Sequence, residues 1–257
     1  MVLQFKKENG IATLKFNRPD KYNSFNQALA FETQKALNEC KDDNEVRVII
    51  ITGEGKAFCA GQDLVEATDP NGPELKSIVG KHYNPIIEQI RTIEKPIIAA
   101  VNGVAAGAGA NIALACDIVI ARKSATFIQA FSAIGLIPDS GGTFFLPRLV
   151  GAQKALALML TGDKVSASEA EAMNMIYKAI DDDEFDTYIA EMASKMAIMP
   201  TKGYGLTKKA VNESFNNTLT EQLALEEKLQ EIAGSTHDFK EGTAAFIEKR
   251  KPIFKGN

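Results

Sequence analysis

Three short aliphatic runs restrict what this chain can fold into. Val46–Thr52 reads VRVIIIT, Ile97–Val101 reads IIAAV and Asp117–Ala121 reads DIVIA. A strand with one wet face alternates apolar and polar residues. These runs do not, so each is expected to be buried on both faces. Helical stretches separate them, one over about Ser77–Ile93 and a shorter apolar one at Ile112–Cys116. Strand–helix–strand repeats of this kind build stacked β/α units with largely parallel strands. With 45% hydrophobic and 24% charged residues, 257 residues suffice to bury one sizeable core.

The rest of the chain reads around that frame. Val2–Lys6 and Ile11–Phe16 alternate about Glu8-Asn9-Gly10, which predicts a hairpin. Arg18-Pro19 and Asn23 break the second strand, and Asn26 is placed to cap a helix running to about Cys40. Ala125–Gln129 reads as another short strand. From Gly141 the pattern turns helical, with a strong helix over Ala152–Leu160 and a cap at Ser166. A strand near Met175–Ile180 closes the α/β core. After Pro200 helices are expected at about 202–215, 219–233 and 239–250. The predicted division is a core over 1–198 that holds the site and a helical region over 199–257. That second region would cover the core or pack on another subunit.

Composition excludes several classes of function. The net charge is −4 and no Lys/Arg block stands out, so nucleic acid is not an expected partner. A few basic residues near a pocket could still hold a phosphorylated ligand. Cys40, Cys59 and Cys116 are odd in number and lack metal-ligand spacing. They read as reduced structural thiols, and no metal site is expected. His82 and His237 lie far apart with no Ser or Cys motif beside them and read as surface or structural. The N-terminus alternates rather than running apolar, which predicts no signal peptide or membrane anchor and a cytoplasmic protein.

Chemistry can gather at three places. Lys56–Leu64 (KAFCAGQDL) follows the first aliphatic strand, and Val101–Asn111 (VNGVAAGAGAN) follows the second. Small residues let a backbone approach a ligand closely, and a turn entering a helix presents unpaired N–H groups. Two such groups aimed at one oxygen would form an oxyanion hole. Either turn could equally serve close helix–strand packing. Neither carries a dinucleotide fingerprint or a phosphate loop. The third place is Asp139, between Pro138 and Ser140-Gly141-Gly142. Read locally it is a helix cap. Its apolar flanks, Phe131, Ile134, Leu136, Ile137, Phe144 and Phe145, would instead raise its pKa and make it an acid or base.

Together these segments resemble the crotonase (enoyl-CoA hydratase/isomerase) superfamily. The resemblance is carried, in order, by NRPDKYNSFN at Asn17–Asn26, AFCAGQDL at Ala57–Leu64, NGVAAGAGANIALACDIVIA at Asn102–Ala121 and GLIPDSGGTFFLPRLVG at Gly135–Gly151. The tail EGTAAFIEKRKPIFKGN extends it. It implies an α/β spiral of ββα units, a C-terminal helical trimerisation region, and homotrimers or hexamers. It implies an acyl-CoA substrate, with coenzyme A as part of that substrate and no tightly bound cofactor. By position, Gln62 and Ala108 match the oxyanion-hole donors. Ala60, Asp63 and Leu64 match a strip along the adenine and pantetheine. Lys21 and Tyr22 match a segment near the CoA phosphates, and Phe254 and Lys255 a tail that can reach a neighbouring subunit's ligand.

The departures redirect the expected reaction. Hydratases of the superfamily carry two glutamates, at positions matching Asn111 and Phe131, and both are non-acidic here. Losing two acid–base groups, each contributing ~10²–10⁴-fold, argues against ordinary hydration. Asp139 remains as the one candidate carboxylate, which suits isomerisation. The segments are most similar to the ring-epoxide isomerases of phenylacetate degradation. That implies conversion of a ring 1,2-epoxide to an oxepin, with Asp139 as acid and base. The alternatives are a Δ3,Δ2-enoyl-CoA isomerase or general hydratase/isomerase of fatty-acid oxidation, and a non-catalytic CoA-binding scaffold. Asn111 could orient a water or substrate oxygen, or be a polar filler at a helix start.

Overall fold

The computed structural model describes residues 1–257. Strands β1 (Leu3–Glu8) and β2 (Ile11–Phe16) pair antiparallel, with Glu8 opposite Ile11. The two linking residues, Asn9 and Gly10, hold φ of 52° and 79°. That mirror-image turn matches the strand twist, and Asn-Gly is the pair that tolerates it. A single 3₁₀ turn, Pro19–Lys21, then leads to two left-handed residues, Tyr22 and Asn23.

Asn23 fixes this bend. It is fully buried. Its Nδ2 donates to the carbonyls of Glu54 (2.9 Å) and Ala57 (2.7 Å), and its Oδ1 accepts from Arg18 N (2.9 Å). Asn tolerates the left-handed region better than most residues. Asn23→Ala should therefore lower unfolding stability by about 2–4 kcal/mol, since it orphans buried backbone groups and keeps the unfavourable φ. Urea unfolding monitored by circular dichroism would check this. A midpoint equal to that of the parent would contradict it.

Helix α1 (Gln27–Asp42) is capped as its sequence predicts, with Asn26 Oδ1 accepting from Leu29 N at 3.0 Å. Strand β3 (Val48–Gly53) follows, starting two residues later than expected. Arg47 is turned out to Thr201 and to the Met199 carbonyl. Next come β4 (Ala57–Cys59), α2 (Leu64–Ala67) and α3 (Leu75–Ser77). The helix expected over 77–93 is split into a π-helical stretch, Ile78–Tyr83, and α4 (Asn84–Thr92). Pro85 lacks an N–H, so the Lys81 carbonyl loses its partner in a regular helix. Gln34 Nε2 donates to that carbonyl at 2.7 Å instead.

Strand β5 (Ile97–Val101) matches its expected bounds. It leads to β6 (Val104–Ala106), α5 (Ala108–Ala115), β7 (Ile118–Arg122) and β8 (Thr126–Ile128). The chain continues through α6 (Gly142–Val150), α7 (Ala152–Thr161), β9 (Lys164–Ser166), α8 (Ala167–Ala172) and β10 (Lys178–Ile180). Ser166 caps α8 and forms a reciprocal capping box with Glu169. Helix α9 (Phe185–Ala197) buries Phe185, Ile189, Ala193 and Ala197, spaced by four, and was not anticipated. Three helices end the chain: α10 (Thr201–Ser214), α11 (Leu219–Gly234) and α12 (His237–Glu248).

Two sheets result. The larger runs β1-β2-β3-β5-β7-β10 and is parallel from β2 onward. The smaller runs β4-β6-β8-β9, with β4, β6 and β8 parallel. The main core joins the larger sheet, the smaller sheet and the helices packed on them. It is anchored by Phe16, Phe25, Phe58, Tyr83 and Phe127. All three cysteines are free and buried, and burial pushes the Cys40 and Cys59 thiols up to about 12. No helix is long and apolar enough to cross a membrane.

Candidate active site

The smaller sheet determines where the site segments meet. Its parallel strands β4, β6 and β8 are neighbours, and their carboxyl ends release Ala60–Leu64, Gly107–Ala108 and Gln129–Phe131 side by side. The sequence suggested turns directly after the long aliphatic strands. The structure interposes β4 and β6, three-residue strands whose small side chains leave no periodicity to read.

The first two segments touch through glycine. Gly61 has φ +91°, and a Cβ there would stand 2.9 Å from the Ala106 carbonyl oxygen and 3.4 Å from Ala108 N. On its other side Gly61 forms part of a bridge to Phe25. Phe25 N donates to Gly61 O at 2.7 Å, and Asp63 N donates to Phe25 O at 2.8 Å. That pairing uses the groups flanking Gln62, so the Gln62 N–H points away from Phe25. Ala108 is the first residue of α5, and its N–H has no partner within the helix. Gly107 enters that helix at φ 53°, ψ −128°. The two N–H groups thus belong to backbone segments in van der Waals contact.

Asp139 lies in the loop before α6, tied to α5 through its backbone carbonyl, which accepts from Asn111 Nδ2. Gly141, not Asp139, is the cap residue of α6, and no side chain caps that helix. The local reading of Asp139 as a helix cap is therefore replaced. The Asp139 carbonyl, not its carboxylate, accepts from Gly142 N at 2.9 Å. Its only side-chain partner is Ser140 Oγ at 2.9 Å. Burial is the main influence on the carboxyl and raises its pKa above the ordinary range, against the Ser140 hydrogen bond.

Asn111 is fully buried, and both ends of its amide are engaged. Nδ2 donates to the Asp139 carbonyl at 2.9 Å and Oδ1 accepts from Gln129 Nε2 at 2.8 Å. Phe131 is buried with its ring tip 3.9 Å from where a Gly107 Cβ would stand. Phe131 thus places an apolar wall beside the entry to α5.

Lys21, Tyr22 and Ala60 lie exposed on one rim, joined by the bond from Ala60 N to Tyr22 O at 2.9 Å. Asp63 and half-exposed Leu64 continue it. Burial pushes the Asp63 carboxyl up, but the Arg18 guanidinium at 2.7 Å outweighs it and holds the group below its ordinary range. Phe254 and Lys255 are not brought to this site within the chain. Lys255 N and Gly256 N each donate to the buried Asp238 carboxylate at 2.7 Å, and Gly256 rests on Arg47. Arg47 precedes β3, at the sheet end opposite the one that carries the site.

Two neighbours of the site were not singled out from sequence. Tyr83, fully buried on the π-helical stretch, donates its hydroxyl to Gln62 Oε1 at 2.8 Å. A π-bulge re-aims side chains and often marks a functional segment, and Pro85 was the available signal. Gln129, the last residue of the strand expected at Ala125–Gln129, lies one residue beyond the observed β8 and carried no functional signal of its own. Phe145, expected from the sequence as an apolar flank of Asp139, braces Gly141, and its ring stacks under the Arg91 guanidinium at 5.3 Å.

Comparison with known proteins agrees with this architecture. The family model described as enoyl-CoA hydratase/isomerase matches residues 6–257. The 1,2-epoxyphenylacetyl-CoA isomerase of Escherichia coli (strain K12) is 45% identical over 252 residues, covering 97% of this chain and 96% of that protein. A probable enoyl-CoA hydratase of Rhodobacter capsulatus is 42% identical over 254 residues, covering 99% and 98%. The crystal structure of an enoyl-CoA hydratase from Bacillus anthracis superposes with a TM-score of 0.92 at 32% identity, covering 100% of both chains. In sequence and in fold, the chain belongs to the enoyl-CoA hydratase/isomerase family.

Proposed function

We propose that the protein is an isomerase of CoA thioesters that moves one proton with Asp139 while the Gln62 and Ala108 N–H groups hold the thioester oxygen. The observation that carries this reading is the lone, half-buried Asp139 carboxyl with its raised pKa, beside a site where Asn111 and Phe131 supply no second acid. As base, Asp139 removes a proton from the carbon α to the thioester. The electron pair moves into an enolate whose oxygen accepts the two backbone hydrogen bonds. Asp139 then returns the proton at another carbon, so the formula is unchanged and no water is added.

The substrate we favour is a ring 1,2-epoxyphenylacetyl-CoA: the ring carbon–carbon bond shared with the epoxide opens as its electrons reorganise with the ring double bonds to give the seven-membered oxepin, and the Asp139 proton shift from the α carbon to a ring carbon then sets the double bonds of the oxepin-CoA product. The similarity to the Escherichia coli enzyme of that name supports it, as does the apolar wall at Phe131, which suits a ring. Lys21, Tyr22, Ala60, Asp63 and Leu64 would line the CoA chain. In this reading the exposed apolar residues of α11 and α12, including Leu223, Phe239 and Phe246, are covered by neighbouring subunits of a trimer or hexamer. Phe254 and Lys255 would then act across that interface.

The test is a substrate panel on purified enzyme: ring epoxide, cis-Δ3-enoyl-CoA and trans-Δ2-enoyl-CoA. The expected result is turnover of the ring epoxide, a slower double-bond shift, and hydration lower by orders of magnitude. Hydration as the fastest reaction would overturn the proposal. A wild-type kcat profile should also fall as pH drops, because the base must be ionised. Its acid limb should lie above the ordinary carboxylate range, since burial raises the Asp139 pKa.

A further inference from the structure

Asn111 sits three residues after Ala108 on α5, the helix whose first N–H is the second donor of the proposed oxyanion hole. One turn of helix separates them, so they move as one body. From that body Asn111 Nδ2 donates to the Asp139 carbonyl at 2.9 Å. Its amide also lies against the backbone of Gly142, where a Cβ would come within 2.3 Å of Nδ2. No other side chain donates a hydrogen bond to the backbone of Pro138–Gly142. Ser140 and Gly141 are both left-handed in this loop, at φ 51° and 75°; the glycine adopts that region freely, whereas Ser140 stores conformational strain. Such a loop keeps its shape only while something outside it holds it.

The orientation of the Asn111 amide is itself determined. Gln129 Nε2 donates to Asn111 Oδ1 at 2.8 Å, so the opposite edge must present its N–H groups to the Asp139 carbonyl. Gln129 is 2% exposed and projects from the end of β8, the neighbour of β6. Its own Oε1 is buried with no protein partner. The amide edge that reaches Asn111 therefore carries the hydrogen bond that Gln129 makes through its side chain.

We infer that Asn111, oriented by Gln129, is a positioning residue that holds the Asp139 loop at a set distance from the Ala108 donor. It links base and oxyanion hole through one rigid helix and touches no reacting atom. This rests on the reading of Asp139 as the base. It also places Asn111 away from any water-activating role. Misplacing a catalytic group by about 1 Å costs up to ~10²-fold in rate.

The test compares Asn111→Ala and Gln129→Met, each in the full-length protein, by kcat, KM and the pH profile of kcat. Asn111→Ala should lower kcat by ~10–100-fold with KM changed less than about threefold. Released from its bracket, the Asp139 carboxyl gains solvent, so its acid limb should move to lower pH. Gln129→Met should shift the limb the same way with a smaller loss of kcat, about 3–10-fold. A merely structural role would lower the melting temperature and the active fraction and leave the limb in place. That result in both variants would overturn the inference. Should Asn111→Ala fail to fold, Gln129→Met decides alone. Asp139→Asn run alongside separates the two levels. If it is inactive while the bracket variants behave as the parent does, only the bracket is wrong. If it is fully active, the assignment of the base fails first.

Discussion

Asp139→Asn should lower kcat on the preferred thioester by ~10²–10⁴-fold, the usual contribution of a positioned acid–base group. The amide keeps the shape and can still meet Ser140 Oγ, so acyl-CoA binding should persist within a few-fold. Stability gives an independent signature. A carboxyl whose folded pKa is raised binds its proton better in the folded state. Its stabilising contribution is present at low pH and is lost as pH rises through the folded pKa. At neutral pH the ionised Asp139 therefore opposes folding, and Asp139→Asn should melt at or above the parent temperature. An inactive variant that is no less stable separates a catalytic carboxylate from a structural one. Inactivity with a large fall in melting temperature would count against the assignment, and so would full activity. Measuring kcat and thermal melting on one preparation decides between them.

The parts of this fold that were legible in the sequence are those set by local chemistry. Asn26 and Ser166 predict helix starts because a short acceptor side chain satisfies N–H groups that the helix cannot. Ile97–Val101 predicts a strand to the residue because nothing polar interrupts it. Of the smaller sheet only β8 was legible, as the strand expected at Ala125–Gln129. Ala57–Cys59 and Val104–Ala106 are too short and too small-sided for any period to register, and they become strands only through long-range pairing, with each other and, for the second, with β8. The site inherits that difficulty. Both small-residue segments were visible, but their adjacency follows from β4 and β6 being neighbours, a long-range fact. Asp139 shows the converse error. Its position before a helix start favours a cap locally. The left-handed turn at Ser140-Gly141 passes that place to Gly141 and leaves the carboxylate free. Its apolar flanks and the family resemblance, not helix propensity, pointed to its other role.

The glycines between the two donors permit a sharper test of the oxyanion hole than removing a side chain could, because backbone N–H groups cannot be mutated directly. Gly107→Ala should lower kcat by ~10²–10³-fold, the cost of losing one such donor. At φ 53°, ψ −128° Gly107 occupies a region that an L side chain disfavours by about 1–3 kcal/mol. A Cβ there would meet only Phe131 Cζ at 3.9 Å and Gly61 Cα at 4.0 Å, which are ordinary contacts. The penalty is therefore conformational, and the chain can relieve it by rotating the Gly107–Ala108 peptide. That rotation swings the Ala108 N–H away from the Gln62 N–H. Gly109→Ala is the counterpart. Its Cβ would lie 2.3 Å from the Cys59 carbonyl oxygen and 2.7 Å from the Cys59 Sγ, so α5 must separate from β4. That substitution should chiefly lower the melting temperature. The expected contrast is a folded, nearly inactive Gly107→Ala with KM little changed, against a destabilised Gly109→Ala. Wild-type kcat in a folded Gly107→Ala would show that the Ala108 N–H does not hold the thioester oxygen, and the proposed mechanism would lose its electrophilic half.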